Sequence, residues 1–194
     1  SLIISTSAAF ALSRFRFRGR EAFLILLLAL STFPGLLSLV AIAQLLTAVG
    51  LYGKHLGLIL AYTTGTLVFC TWNLKGYFDT IPIDLEEAAM LDGCGPVEAF
   101  TLIALPLARP ALAVTAILAF MGSWGDFVFA GVLVPAPDSL KLAVPALYSL
   151  ANSISVPWGY FAAGAVIVVL PTLMVYLALQ RYFESGLTVG GVKG

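Results

Sequence analysis

The chain has 194 residues, 60% of them hydrophobic and 10% charged, and its ten Lys/Arg balance ten Asp/Glu. Soluble domains carry about 25% charged residues. Together with a mean hydropathy of +1.02, that deficit excludes a water-soluble globule. Zero net charge excludes a basic field for nucleic acid. One His and two Cys leave little material for a metal cage. Cys70 falls in an apolar run and Cys94 between Gly93 and Gly95, so they read as a small hydrophobe and a tolerated turn residue.

Residues 1–13 form an apolar run too short to cross a bilayer, which needs roughly 20 residues at about 1.5 Å each. No basic region precedes it, as a signal peptide would require. It reads as the end of a span whose beginning lies outside the sequence, which makes the chain a fragment. Longer apolar stretches follow at about 22–46, 56–74, 108–133 and 158–180, without the alternation of membrane barrel strands. The predicted fold is all-α, a polytopic transmembrane helical bundle of about five spans, and one integral-membrane domain over 1–194.

Lys and Arg set the expected orientation. Arg14, Arg16, Arg18, Arg20, Lys75, Arg109, Arg181 and Lys193 fall on one side of the five-span arrangement, and Lys54 and Lys141 on the other. The first side is then cytoplasmic, with the turn 14–21, the segment 75–107 and the tail 182–194. The loops 47–55 and 134–157 face outward. Pro34-Gly35 and Pro171 interrupt spans, as packing kinks or as bends lining a path.

The segment 75–107 holds six of the ten acids: Asp79, Asp84, Glu86, Glu87, Asp92 and Glu98. Asp84 with Glu87 three residues later fits a capping box. Helix formers run from Leu85 to Leu91, Gly93 and Gly95 stop them, and Pro96 opens a second helix through Phe100 to Ala104. Pro106 marks entry to the next span. The apolar Leu85, Ala88, Ala89, Leu91, Phe100 and Ile103 suit either a hairpin packed on its own bundle or a knob for a soluble partner. Composition alone does not choose.

From Glu87 the chain reads E-A-A, three residues, Gly93, nine residues, Ile103, one residue, Leu105-Pro106. This resembles the EAA signature of permease subunits of binding-protein-dependent ABC importers, with Cys94 standing where the family often has Ala. The tail RYFESGLTVGGVKG, the preceding WGYFAAGAVIVVLPTLMVYLALQRYF, and FPGLLSLVAI resemble the smaller permease of maltose importers and related carbohydrate permeases. The resemblance covers the whole chain and implies a type I importer permease fold lacking its first span and first outward loop. It assigns ATPase coupling to Glu87, Ala88, Ala89, Gly93, Ile103, Leu105 and Pro106. It also sends Gly186, Gly190, Gly191, Lys193 and Gly194 toward the ATPase dimer interface, where the bare sequence suggests only a frayed end.

The implied partners are a cytoplasmic dimer of ATP-binding subunits, a second and larger permease of MalF type, an extracytoplasmic sugar-binding protein, and membrane lipid. The chain has no GxxxxGK[ST] run, so ATP and Mg belong to the ATPase partner, and this subunit transports rather than catalyses. Maltose or a maltodextrin is the implied substrate, with another sugar, a polyol or a sugar phosphate as the alternative. An intramembrane aspartyl protease needs a second acid at membrane level, and Asp126 has none. A secondary transporter or channel would want ion-coupling charges at mid-membrane.

Asp126 is an acid within a predicted span and so a functional hypothesis by default. It lies 17 residues after Arg109, about 25 Å along a helix, near the outer interface, which favours a structural or gate-rim role over ion binding. Trp124, Trp158, Tyr160 and Phe161 are placed at that level as a belt, ahead of a sugar-stacking surface. Pro135, Pro137, Pro145 and Pro157 surround KLAVPALYSLA in the loop 134–157, a pattern too ordered for a linker. The resemblance sets this loop against the external binding protein. His55 faces outward and carries no role.

Overall fold

Apolar runs without alternation satisfy their backbone groups best as helices in lipid, and every regular element among the described residues is helical. The computed structural model describes residues 1–135, 142–180 and 182. Among the described residues, two helices are long and apolar enough to cross a bilayer unbroken, α4 (His55–Phe78) and α11 (Trp158–Leu179). The number rises to four if two bent pairs each make one crossing. One pair is α2 (Arg20–Thr32) with α3 (Gly35–Ala48); the other is Pro96–Leu107 with α8 (Arg109–Trp124). The helix α1 (Leu2–Arg14) is apolar but short.

The expected stretches 22–46 and 108–133 are therefore not continuous helices. The first breaks at Phe33-Pro34, where Pro34 stands extended as the N-cap of α3, because proline lacks the amide a continuing helix would use. The second ends at Trp124, and α9 (Val128–Leu133) starts afresh after Gly125–Phe127. Pro171 lies inside α11, and the helix runs through it.

The chain packs as two compact units. One comprises residues 1–32 and 65–119 with the described residues of 179–194. Its core joins Ala9 and Phe10 of α1 to Leu74 and Phe78 of α4, with Ile81, Ala104 and Ala108 closing it. Asn73 donates to the buried Thr115 hydroxyl at 2.6 Å. Ser1 and Thr66 hydroxyls lie 2.7 Å apart, and Ser5 donates to the Leu67 carbonyl at 3.4 Å.

The other unit comprises residues 33–64 and 120–178, and the statements about it concern its described residues. Leu39 and Leu46 of α3 meet Leu58 and Ala61 of α4 and Ala130 and Leu133 of α9. A Cβ on Gly57 would collide with the Leu51 carbonyl oxygen, so only glycine lets α4 pass this close to the turn after α3. Within 134–157 the ordered pattern is a helix, α10 (Ala143–Ala151), with Pro145 in its first turn. Pro137 and Lys141 lie outside the described residues. No residue of α11 is buried, as expected of a helix apolar all round that faces lipid or a partner.

Candidate coupling site

The helix α5 (Asp84–Leu91) starts earlier than its acids suggest. Ile83 is already helical, with φ −63° and ψ −32°, and the Glu86 amide donates to the Ile83 carbonyl at 2.9 Å. Asp84 has thus entered the first turn, too late to cap it, and the expected Asp84–Glu87 box is not made. Asp84, Glu86 and Glu87 still sit in the first turn, where the helix dipole favours negative charge. The acid that reaches back is Glu98. Its Oε2 accepts the Gly95 amide at 2.8 Å, just before α6 (Pro96–Ala99).

Gly93 ends α5 in a Schellman turn. It stands at φ +97°, the Gly93 amide donates to the Met90 carbonyl at 3.1 Å, and the Cys94 amide to the Ala89 carbonyl at 3.0 Å. These bonds satisfy carbonyls a helix end leaves open. Nothing lies within 4 Å of a Cβ built there, so glycine is required by φ and not by space.

The second helix continues as expected through Phe100 to Ala104, but as a π-turn in which the Leu105 amide donates to the Phe100 carbonyl. Widening just before Pro106 relieves the crowding of its ring against the carbonyl four residues back. Pro106 itself belongs to α7 (Leu105–Leu107), and α8 begins at Arg109. The Pro96–Leu107 run meets α8 at 72°.

The hairpin has one packed face and one exposed apolar face. Underneath, Ala99, Ala104 and Ala108 are fully buried, and Phe100 lies 4.5 Å, centroid to centroid, from Phe10. On the outside, Leu91 is 90% exposed, Val97 74% and Leu102 62%. Of the residues assigned to coupling, Glu87, Ala88 and Gly93 are exposed, while Ala89, Ile103, Leu105 and Pro106 are half-buried. Gly186, Gly190, Gly191, Lys193 and Gly194 lie outside the described residues, as does Arg181.

The acid that anchors α5 is Glu86, which sequence reasoning passed over for its neighbour. Consecutive helix positions point about 100° apart, so Glu87 turns out while Glu86 turns in. Glu86 meets Arg14 Nε at 2.8 Å, with side-chain exposures of 4% and 8%. Arg14 also donates to the Ile81 carbonyl at 3.0 Å and to Ser13 Oγ at 3.1 Å. Ser13 donates to Asp79 at 2.7 Å, and Lys75 pairs with Asp79 at 2.6 Å. This chain of contacts ties α1, the end of α4 and α5 together. Burial alone would raise the Asp79 carboxyl, but hydrogen bonds from Lys75 and Ser13 and the charges of Lys75 and Arg20 hold it below its ordinary range. Arg14, counted at first only for sidedness, is the last residue of an apolar helix, a position from which a cation can turn inward.

Asp126 stands in the break between α8 and α9 and not within a helix. Its Oδ1 accepts the Phe129 amide at 2.8 Å, the Ala130 amide at 3.2 Å and the Tyr62 hydroxyl at 3.0 Å. It caps α9 and fixes it to α4. Trp124 is not a belt residue level with Trp158. Its indole N–H donates to the Val168 carbonyl at 2.9 Å, ten residues or about 15 Å along α11 from Trp158. Trp158 and Tyr160 are exposed, and Trp158 meets Phe161 edge to face at 6.0 Å.

The chain has relatives among known proteins. The family described as "Binding-protein-dependent transport system inner membrane component" matches residues 1–189. The galactooligosaccharides transport system permease protein GanQ of Bacillus subtilis (strain 168) is 40% identical over 195 residues, covering 100% of this chain and 69% of GanQ. The maltose/maltodextrin transport system permease protein MalG of Vibrio vulnificus (strain YJ016) is 43% identical over 197 residues, covering 98% of this chain and 66% of MalG. A crystal structure of a bacterial ABC transporter involved in the import of the acidic polysaccharide alginate superposes with a TM-score of 0.72 at 27% identity, covering 94% of this chain and 68% of that one. The chain thus spans about two thirds of the length of such relatives, and it belongs to the family of binding-protein-dependent transport system inner membrane components.

Proposed function

We propose that the chain is a membrane-spanning subunit of an ATP-driven sugar importer, working by alternating access. An extracytoplasmic binding protein delivers the sugar, and a second, MalF-like permease completes the path. A dimer of ATP-binding subunits docks on the 75–107 segment from the cytoplasm, where the C-terminus also lies. ATP and Mg stay on that dimer; this chain moves the solute and performs no catalysis. The observation that carries the reading is the elbow at Gly93, which presents Leu91 and Val97 to solvent above a base held by Arg14–Glu86. Closure of the ATPase dimer pushes on such a knob, and its preference for one arrangement of the bundle supplies the work.

The solute is a malto-oligosaccharide on the similarity to MalG, and a galacto-oligosaccharide is the second reading on the similarity to GanQ. The test is co-expression of the full-length subunit with its candidate permease and ATPase partners. Burying Leu91 in a socket contributes about 2 kcal/mol, so Leu91→Asp weakens ATPase association by roughly thirtyfold or more while the membrane subunits stay folded. Association of the ATPase that is indifferent to Leu91→Asp would remove the elbow from the interface. Absence of any associated ATPase would end the importer reading.

A further inference from the structure

The unit formed by residues 33–64 and 120–178 contains a cavity of about 340 Å³, separate from the residues assigned to coupling in the sequence. Its polar lining is His55, Tyr62, Ser123 and Asp126, with the ring of Trp124 beside them and apolar side chains of α4, α9 and α10 around the rest. The cavity exists because α8 stops at Trp124 and the chain crosses to α9 without helical turns.

Two of its polar groups, Asp126 and Tyr62, are held in place by a hydrogen bond to each other before any ligand arrives. Three hydrogen bonds converge on Asp126 Oδ1, and among the described residues none is recorded on Oδ2, which leaves that oxygen as an acceptor. The Trp124 ring is fixed by its N–H bond to Val168 and lies stacked on Phe120 at 5.6 Å and 16°. A fixed aromatic face, a carboxylate oxygen, an imidazole and a hydroxyl in an otherwise apolar pocket match a sugar ring. Its C–H face packs on the indole and its hydroxyls find donors and acceptors at the edge. The volume is at the small end for ligand pockets, about 300–1,000 Å³, and suits a short saccharide unit. The charge selects further. Asp126 repels an anion in low dielectric.

We propose that this cavity is a saccharide subsite on the permease chain itself, taking a neutral sugar unit and disfavouring uronates. The proposal rests on the importer reading above. It makes His55, Tyr62, Ser123, Trp124 and Asp126 specificity residues, acting after the binding protein has released its cargo.

The test measures equilibrium binding of maltotriose, galactotriose and trigalacturonate to the assembled importer in nanodiscs, without binding protein. Two variants accompany the parent. Ser123→Leu fills the cavity, and Asp126→Asn keeps an acceptor for the α9 cap while removing the charge. One neutral probe is expected to bind saturably, tenfold or more weaker in Ser123→Leu, with trigalacturonate gaining relative to it in Asp126→Asn. ATPase association is read in the same samples and stays unchanged. Neutral-probe binding indifferent to both substitutions, or absent from an ATPase-associated parent, overturns the subsite and leaves the importer reading standing. Preference of the parent for trigalacturonate overturns the neutral-sugar assignment. Failure of the parent to associate with an ATPase overturns both.

Discussion

Glu86→Ala would leave the Arg14 guanidinium in a site only 8% exposed with no countercharge. Removing one partner of a buried ion pair costs about 3–5 kcal/mol. Arg14 keeps its bonds to the Ile81 carbonyl and to Ser13, which points to the lower end, about 3 kcal/mol, or roughly a hundredfold in a local opening equilibrium. The loss falls on α5, which the pair fastens to α1. Amide hydrogen exchange on the protein in nanodiscs reads it directly, with Asp84–Leu91 expected to exchange roughly a hundredfold faster while α11 is unchanged. The double variant Arg14→Met/Glu86→Leu replaces the pair with apolar side chains and is expected to recover most of the protection. Protection of α5 within about threefold of the parent in Glu86→Ala would refute the idea that this pair holds α5 in place.

Two further outcomes follow from the same unit. The lowered Asp79 carboxyl contributes stability that is fully present above its ordinary, unfolded range and is lost as pH falls through its folded value. Thermal midpoints measured from about pH 6 to pH 3 are therefore expected to drop for the parent, and to start lower but fall less steeply for Asp79→Asn. Thr115→Val keeps the shape of a fully buried residue but strands the Asn73 amide that donates to its hydroxyl. The expected loss is about 0.6–2 kcal/mol in a thermal unfolding series, and Thr115→Ser is expected to restore it.

The helical class and the apolar stretches were legible because lipid leaves few options for a chain this poor in charge. The breaks were less so. Pro34 announced one interruption, yet Pro171 was equally visible and its helix runs on; proline marks where a helix can yield, and packing decides whether it does. Gly125–Phe127 broke a helix without any proline, because Asp126 caps a new one with its side chain. In the 75–107 segment the Gly93 turn was readable, since a stop signal needs only local φ. Which of Glu86 and Glu87 faces inward depends on where Arg14 arrives from 72 residues away, and no local spacing encodes that. His55 looked isolated because Asp126 and Ser123 join it only through the fold.

The π-turn at Phe100–Ala104 changes what the spacing from Gly93 to Pro106 measures. A wide turn behaves as one extra residue slipped into an ordinary helix, so all that follows is rotated by about 100° relative to an unbroken one. The fixed distance between the glycine and the Leu105-Pro106 pair thus sets an angular phase as well as a length. Deleting a single residue there could leave the helix intact and still aim Arg109 and the membrane helix after it in the wrong direction. Loss of function by such a deletion would be an error of aim, with folding preserved.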